Sequence, residues 1–223
     1  MLRDETNGGR GSSEIGSCIL MHINSVTEKK TRVQEIKYYS DACGGQNRNQ
    51  CVASAMLYAM HHYENVKKIN HKFFERGHSE MEADSIHSSV ERAKKSTNVY
   101  HPSQWNTVVS IARKKNPYIV IPLSFRDFYD LKKVRHASCK NMKETATGAK
   151  INCLKVKWIK IMKDTPDSIF FNYSFDEENF MEVKVRAVGL RGRKGKMSNI
   201  KLSPLHETKL SISDAKKADL VFV

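Results

Sequence analysis

Long apolar runs are missing from these 223 residues. None approaches the roughly 18 to 20 residues needed to span a bilayer, and the opening MLRDETNGGRG lacks the apolar segment of a secretory leader. Cysteine is sparse and carries no pairing pattern. Five residues, at 18, 43, 51, 139 and 153, are an odd number without a C-x-x-C, which counts against a disulfide framework or a zinc finger and predicts reduced, mostly buried thiols. These absences predict an unsecreted protein of the nucleus or cytoplasm with no membrane partner. A G-x-x-x-x-G-K-[ST] phosphate loop is also missing, which counts against a nucleotide-binding role for GGQN at 44 to 47. Negative charge is in short supply too. Asp and Glu number 24 against 38 Lys and Arg, a net charge of +14, and such a surplus suits a polyanionic partner.

What is present is periodic. Hydrophobic residues make up 39% and fall in regular blocks, the mark of a folded core rather than of disorder. Ile15, Cys18, Ile19, Met21 or His22, and Val26 recur at helical spacing after Ser12-Ser13. A β-favouring run, Ile36, Tyr38 and Tyr39, climbs to Asp41. A turn with Gly44 and Gly45 follows, then a helix from about Asn49 to Tyr63 with Val52, Ala55, Met56, Ala59, Met60 and Tyr63 on one stripe. Ile69 to Glu75 reads as a second strand, and a helix begins near Ala83 and ends near Lys95. Strand, helix, strand, helix with short connections predicts parallel strands in an α/β layer.

Pro102 opens a further helix carrying Trp105, Val108, Val109 and Ala112. YIVIPL at 118 to 123 reads as extended, and FRDFYDLKKV as a short helix. Residues 136 to 150 are polar and aperiodic, a linker. Three runs with period two follow, LKVKWIKI, SIFFNYSF and MEVKVRAV, which predict an antiparallel meander. In the second, Ile169, Phe171, Tyr173 and Phe175 share a face. The expected organisation is an α/β core over 1–135, a linker over 136–150 and a basic β-rich C-terminal extension over 151–223. SDAKKADL starts a helix near the chain end, which suggests a truncated reading frame.

Two clusters carry chemistry. Asp41 stands at the carboxyl end of a strand, where open α/β sheets place their sites. Taken alone, such an aspartate is as often a turn former. Gly44 and Gly45 allow close backbone approach, and Gln46, Asn47 and Arg48 offer amides and a guanidinium to phosphate. The second cluster is GHSEMEADSIHSSVE. Asp84, His87 and Glu91 fall at i, i+3 and i+7 on one helix face, preceded by His78, Glu80 and Glu82. Acids in a first helical turn also suit the helix dipole. Carboxylates from two strand-adjacent positions bridged by Mg²⁺ or Mn²⁺ are what two-ion phosphoryl transfer uses, with histidine as a minor ligand or proton shuttle. Between Lys184 and the C-terminus, ten Lys/Arg face three Asp/Glu, and Arg191, Arg193, Lys194 and Lys196 lie in a glycine-rich loop able to follow a phosphate backbone. Trp158 and Tyr173 read first as core residues and second as base-stacking ones. The sequence thus predicts DNA as the partner.

YSDACGGQNRN, INHKFFERGHSEMEADSIHSSVERA, VYHPSQW and RDFYDLKK resemble a domain shared by multicopy, transposon-derived animal proteins. That domain is regarded as ribonuclease-H-like, the fold of DD(E/D) transposases and integrases. The resemblance covers about residues 3 to 223. Ala42 departs from the family's D-N-C-x-G-Q-N pattern. The resemblance implies a truncated ribonuclease-H-like mixed sheet flanked by helices, with Asp41 as second acid, Asp84 as third (Glu82 or Glu91 being the alternatives) and His87 as an accessory. It places the first acid on a strand ahead of the first helix, where only Asp4 and Glu5 stand, so the first strands and first acid are expected to be missing. It therefore implies a nucleic-acid-binding remnant of a two-metal nuclease; a non-catalytic DNA- or chromatin-binding module is the alternative.

Overall fold

The apolar alternation that climbs to Asp41 forms β1, Glu35–Ser40, and the INHKFF alternation forms β2, Lys68–Phe73. A computed structural model describes residues 1–29, 32–75, 81–138, 142–185 and 197–221. Between the two strands runs α2, Gln50–His62, and the crossover makes them parallel, with Ile36 opposite Ile69 and Tyr38 opposite His71. The meander follows as β3, Trp158–Met162, β4, Ser168–Asn172, and β5, Met181–Lys184. It joins the same sheet, because β3 pairs antiparallel with β2, setting Ile69 against Ile161. The protein is thus α/β, with a five-stranded mixed sheet in the order β1-β2-β3-β4-β5 and one parallel pair, flanked by helices.

The chain divides by its contacts into two units, one of residues 1–9, 79–127 and 206–223, the other of 10–78 and 128–205. This differs from the expected core over 1–135 with an extension over 151–223. Residues 158–184 continue the sheet that β1 and β2 begin, so the change of texture after 135 marks a change from crossover to meander within one unit. The expected linker is also structured in part: Leu131–Ser138 form α5, and Glu144 bridges Lys150 around a turn with Gly148 at φ +86°.

In the sheet-bearing unit, α1 spans Ser12–Lys29 and buries Ile19, Leu20 and Ile23 rather than Val26. α2 buries Ala53 and Leu57 as well as Val52, Ala55, Met56, Ala59 and Met60 of the expected stripe, whereas Tyr63 lies just past its end and is partly buried. It lies between α1 and α5 on one side and β2 and β3 on the other, and a helix covered on both sides is apolar all round. Its ends are closed by side chains. Asn49 Oδ1 accepts from the backbone N–H groups of Cys51 (2.9 Å) and Val52 (3.1 Å), and Lys163 Nζ donates to the carbonyls of Met60 (2.6 Å) and Tyr63 (3.3 Å) at the other end. Both ends suit the helix dipole and its unpaired backbone groups. Asn49→Ala should lower stability by about 1 kcal/mol, read from urea unfolding; an unchanged midpoint would show the cap to be idle.

The inward parity of the strands (Ile36, Ile69, Phe73, Ile159, Ile161, Ile169, Phe171, Val183) is buried against these helices. The outward parity holds a polar bracket, in which Trp158 Nε1 donates to Asn70 Oδ1 and Asn70 Nδ2 to Glu35 Oε1, both at 2.8 Å. Trp158 is buried, and Tyr173 is partly buried against the core. Phe175 departs from the face shared by Ile169 and Phe171. β4 stops at Asn172, whose Oδ1 accepts from Ser174 N at 3.0 Å and turns the chain, leaving Phe175 exposed. The described cysteines 18, 43, 51 and 153 are half-buried rather than buried.

In the other unit, α3 spans Glu82–Lys95 and α4 Gln104–Ile111, and the two pack together. Of the expected α4 face only Val108 is buried. Residues 118–123 are extended without forming a strand; Leu2 bridges Pro122 alone, and Ile119 is exposed. The last helix, α6, is Asp214–Val221. Among the described residues no helix is long and apolar enough to cross a membrane.

Candidate functional site

Asp41 follows the last residue of β1 directly and is exposed. The turn after it is closed by one acceptor: the Cys43 carbonyl receives the backbone N–H groups of Gln46 (3.2 Å), Asn47 (2.9 Å) and Arg48 (3.0 Å). Asn47 Nδ2 donates to Asp41 Oδ1 across the turn. Arg48 Nη1 donates to the Val156 carbonyl at 3.4 Å. Asn47 and Arg48 are therefore engaged within the fold, which holds the acid's loop against the segment entering β3. No packing within the fold requires either glycine. A Cβ at Gly45 would meet nothing within 4 Å, and one at Gly44 only ordinary contact with Leu154. Ala42 is partly buried against the core.

Behind the acid, on the inward parity, lies a polar pair that belongs to neither expected cluster. His71 is 1% exposed, and its Nε2 lies 2.8 Å from Ser40 Oγ. Ser40 Oγ also donates to the Asp41 carbonyl at 3.0 Å. Assigning its one proton there leaves His71 Nε2 as the donor to Ser40. Nδ1 then has no hydrogen-bond partner among the described residues. The ring packs against Phe73 and edge-on to Tyr38, and burial pushes its pKa down to about 4, so it is neutral at pH 7. Tyr38 Oη in turn meets His22 Nδ1 at 2.9 Å; burial raises the phenol's pKa and lowers that of His22. A hydroxyl–imidazole contact is the start of a nucleophile–base pair, but among the described residues no carboxylate orients His71 Nδ1. The contact ties β1 to β2 instead. A signal for it stands in INHKFF: a histidine between Ile69 and Phe73 on the strand's apolar parity must be buried.

The second cluster lies on α3 in the other unit. Glu82, Asp84, His87 and Glu91 are all exposed, and α3 buries no residue. Asp84 serves its own helix, where its Oδ2 accepts from the Met81 backbone N–H at 2.9 Å and satisfies a helix-start donor. His78, Glu80, Arg191, Arg193, Lys194 and Lys196 lie outside the described residues. Among the described residues, no three His, Cys, Asp or Glu side chains gather closely enough to hold a metal ion. Asp41 stands in one unit and Asp84, with its alternatives, in the other.

An apolar cavity of about 60 Å³ opens between the start of α2 and the inward face of β3 to β5, lined by Met142, Ile159, Ile169 and Phe171 with Arg48 at its edge. No family model, curated protein or solved structure matches this chain.

Proposed function

We propose that this chain is a nucleic-acid-binding α/β protein of transposon-derived, ribonuclease-H-like ancestry that binds without cutting. The observation that carries the reading is the charge surplus, 38 Lys and Arg against 24 Asp and Glu. A +14 chain repels itself, and a phosphate backbone supplies the missing counter-charge by releasing its condensed cations. The position of Asp41 directly after β1 supports the ancestry, because that is where α/β sheets expose functional groups. One Asp41 oxygen is engaged by Asn47, and no three ligating side chains group together among the described residues, which supports binding over hydrolysis.

The test is fluorescence anisotropy of labelled DNA across a salt series. Affinity should fall linearly in log–log form, by about 0.9 per phosphate contacted on duplex and about 0.7 on single strands. Asp41→Asn should leave affinity unchanged or slightly raise it, since it removes a negative charge. Failure to bind any nucleic acid at low salt would overturn the reading. Metal-dependent cleavage lost in Asp41→Asn would overturn its non-catalytic half.

A further inference from the structure

The strand alternation that buries Ile69, Ile159 and Ile161 sends Lys37, Lys68, Lys72, Lys160 and Lys184 to the opposite face of the sheet. Only Glu35 and Glu182 accompany them at strand positions of that parity, at the two margins. Glu35 is held by Asn70, and Glu182 by Ser168 and Lys184. The middle of the face is left to three ammonium groups. Lys160 stands opposite Asn70, with Lys68 and Lys72 on its two diagonals, a separation of about 7–8 Å in an antiparallel pair.

Two of the three form no ion pair among the described residues and rest on rings instead. Lys72 Nζ lies 3.8 Å from the Trp158 ring centre. Lys160 Nζ lies 3.8 Å from that of Phe180 and 4.9 Å from that of Trp158. Ring faces orient a cation without neutralising it. Burial, and then repulsion from Lys68 and Lys72, lowers the Lys160 pKa, with Glu177 and Glu35 opposing. An anion bridging Lys160 to either neighbour would relieve that repulsion. Beside Lys72 on β1 stands Tyr39, 53% exposed, its ring centre 5.9 Å from that of Phe74. Along the outward parity of β1 the next residue is Asp41.

We propose that this face, with Lys68, Lys72 and Lys160 at its centre and Tyr39 at its edge, is the binding track for single-stranded nucleic acid. It rests on the nucleic-acid reading above and adds which strand form is bound and where. The lysines follow the phosphates, and Tyr39 takes a base in stacking, as exposed aromatics on sheet platforms do for unpaired bases. A paired duplex keeps its bases stacked internally and has no use for Tyr39.

Anisotropy with a mixed-sequence single strand, its duplex and polyglutamate as competitor distinguishes the outcomes. Lys72→Glu with Lys160→Glu should weaken single-strand binding at least about tenfold and reduce the salt slope by about 1.4, two contacts at about 0.7 each. Lys72→Gln with Lys160→Gln should show the same slope change with less risk to the fold. The charge-matched pair Lys114→Glu with Lys115→Glu, exposed in the other unit, should change it little. Tyr39→Ala should cost about tenfold on the single strand and nothing on the duplex. Absence of all nucleic-acid binding by the unaltered chain overturns the function and this track together. Binding that falls equally in the Lys114/Lys115 pair overturns the track alone. Equal losses on duplex with no effect of Tyr39→Ala overturn the single-strand assignment, and equal competition by polyglutamate overturns nucleic acid as the ligand class.

Discussion

Taking the protein from pH 7 to pH 4 should remove on the order of 3 kcal/mol of stability through His71 alone, at about 1.4 kcal/mol for each pH unit between its two pKa values. Burial holds this ring near pKa 4 in the fold, whereas an unfolded chain lets it titrate near 6.5. Between those values the unfolded state binds a proton that the folded state refuses, so stability rises with pH across the window and falls as pH drops through it. Loss should begin near pH 6.5, before carboxylates matter. Asp4 and Glu182, whose pKa values hydrogen bonds hold below normal, contribute their losses only lower down. Urea unfolding midpoints across pH 4 to 8 test this. His71→Phe, which keeps the packing against Tyr38 and Phe73, should flatten the curve between pH 6.5 and 4.5. A His71→Phe curve as steep as the original would assign the acid loss to other groups.

The second large effect lies where three helices meet. Gly16 of α1 is buried, and a Cβ there would stand 2.2 Å from Leu131 Cδ1 on α5 and 3.4 Å from Ala55 Cβ on α2. Leu131 has 0% exposure, so its methyl has nowhere cheap to go. Gly16→Val should destabilise by about 3 kcal/mol through overpacking. Gly16→Ala should cost less, because alanine recovers up to about 1 kcal/mol of helix propensity. Leu131→Ala alone should cost about 2–5 kcal/mol through the cavity it leaves. Combined with Gly16→Ala, it should cost less than the sum of the two, since the added methyl enters the vacated space. Strict additivity in calorimetric or urea unfolding would show that the two side chains never meet.

Local periodicity specifies β1 running up to Asp41, α2 beginning after Asn49, and β4 with Ile169 and Phe171 inward, because it needs no knowledge of distant residues. The sheet order is different. That β3 lies beside β2, with Ile161 opposite Ile69, is set by a pairing between residues some ninety positions apart, and no local pattern specifies it. The bracket of Glu35, Asn70 and Trp158 is hidden in the sequence for the same reason. So is the cationic face, whose lysines are scattered singly through four strands and form no run. Asp41 is legible because a strand end and a turn announce it. Asp84 is legible as an acid on α3, but its bond to Met81 N follows only from a general tendency of helix starts. His71 is harder to see, because one polar residue in an apolar strand does not disturb the alternation that defines the strand.

The parallel pair β1 and β2 has a consequence for synthesis. A ribosome releases both strands and α2 early, but the strand that completes β2 on its other side arrives only after the whole of residues 79–127. Through that interval β2 offers an unsatisfied row of backbone donors and acceptors beside Ile69 and Phe73, with no neighbour yet made. Pairings closed over such distances are slow, and open strand edges recruit other chains while they wait. That edge stays open until Trp158–Met162 is made, and anything that pauses the ribosome between residues 79 and 158 prolongs the exposure.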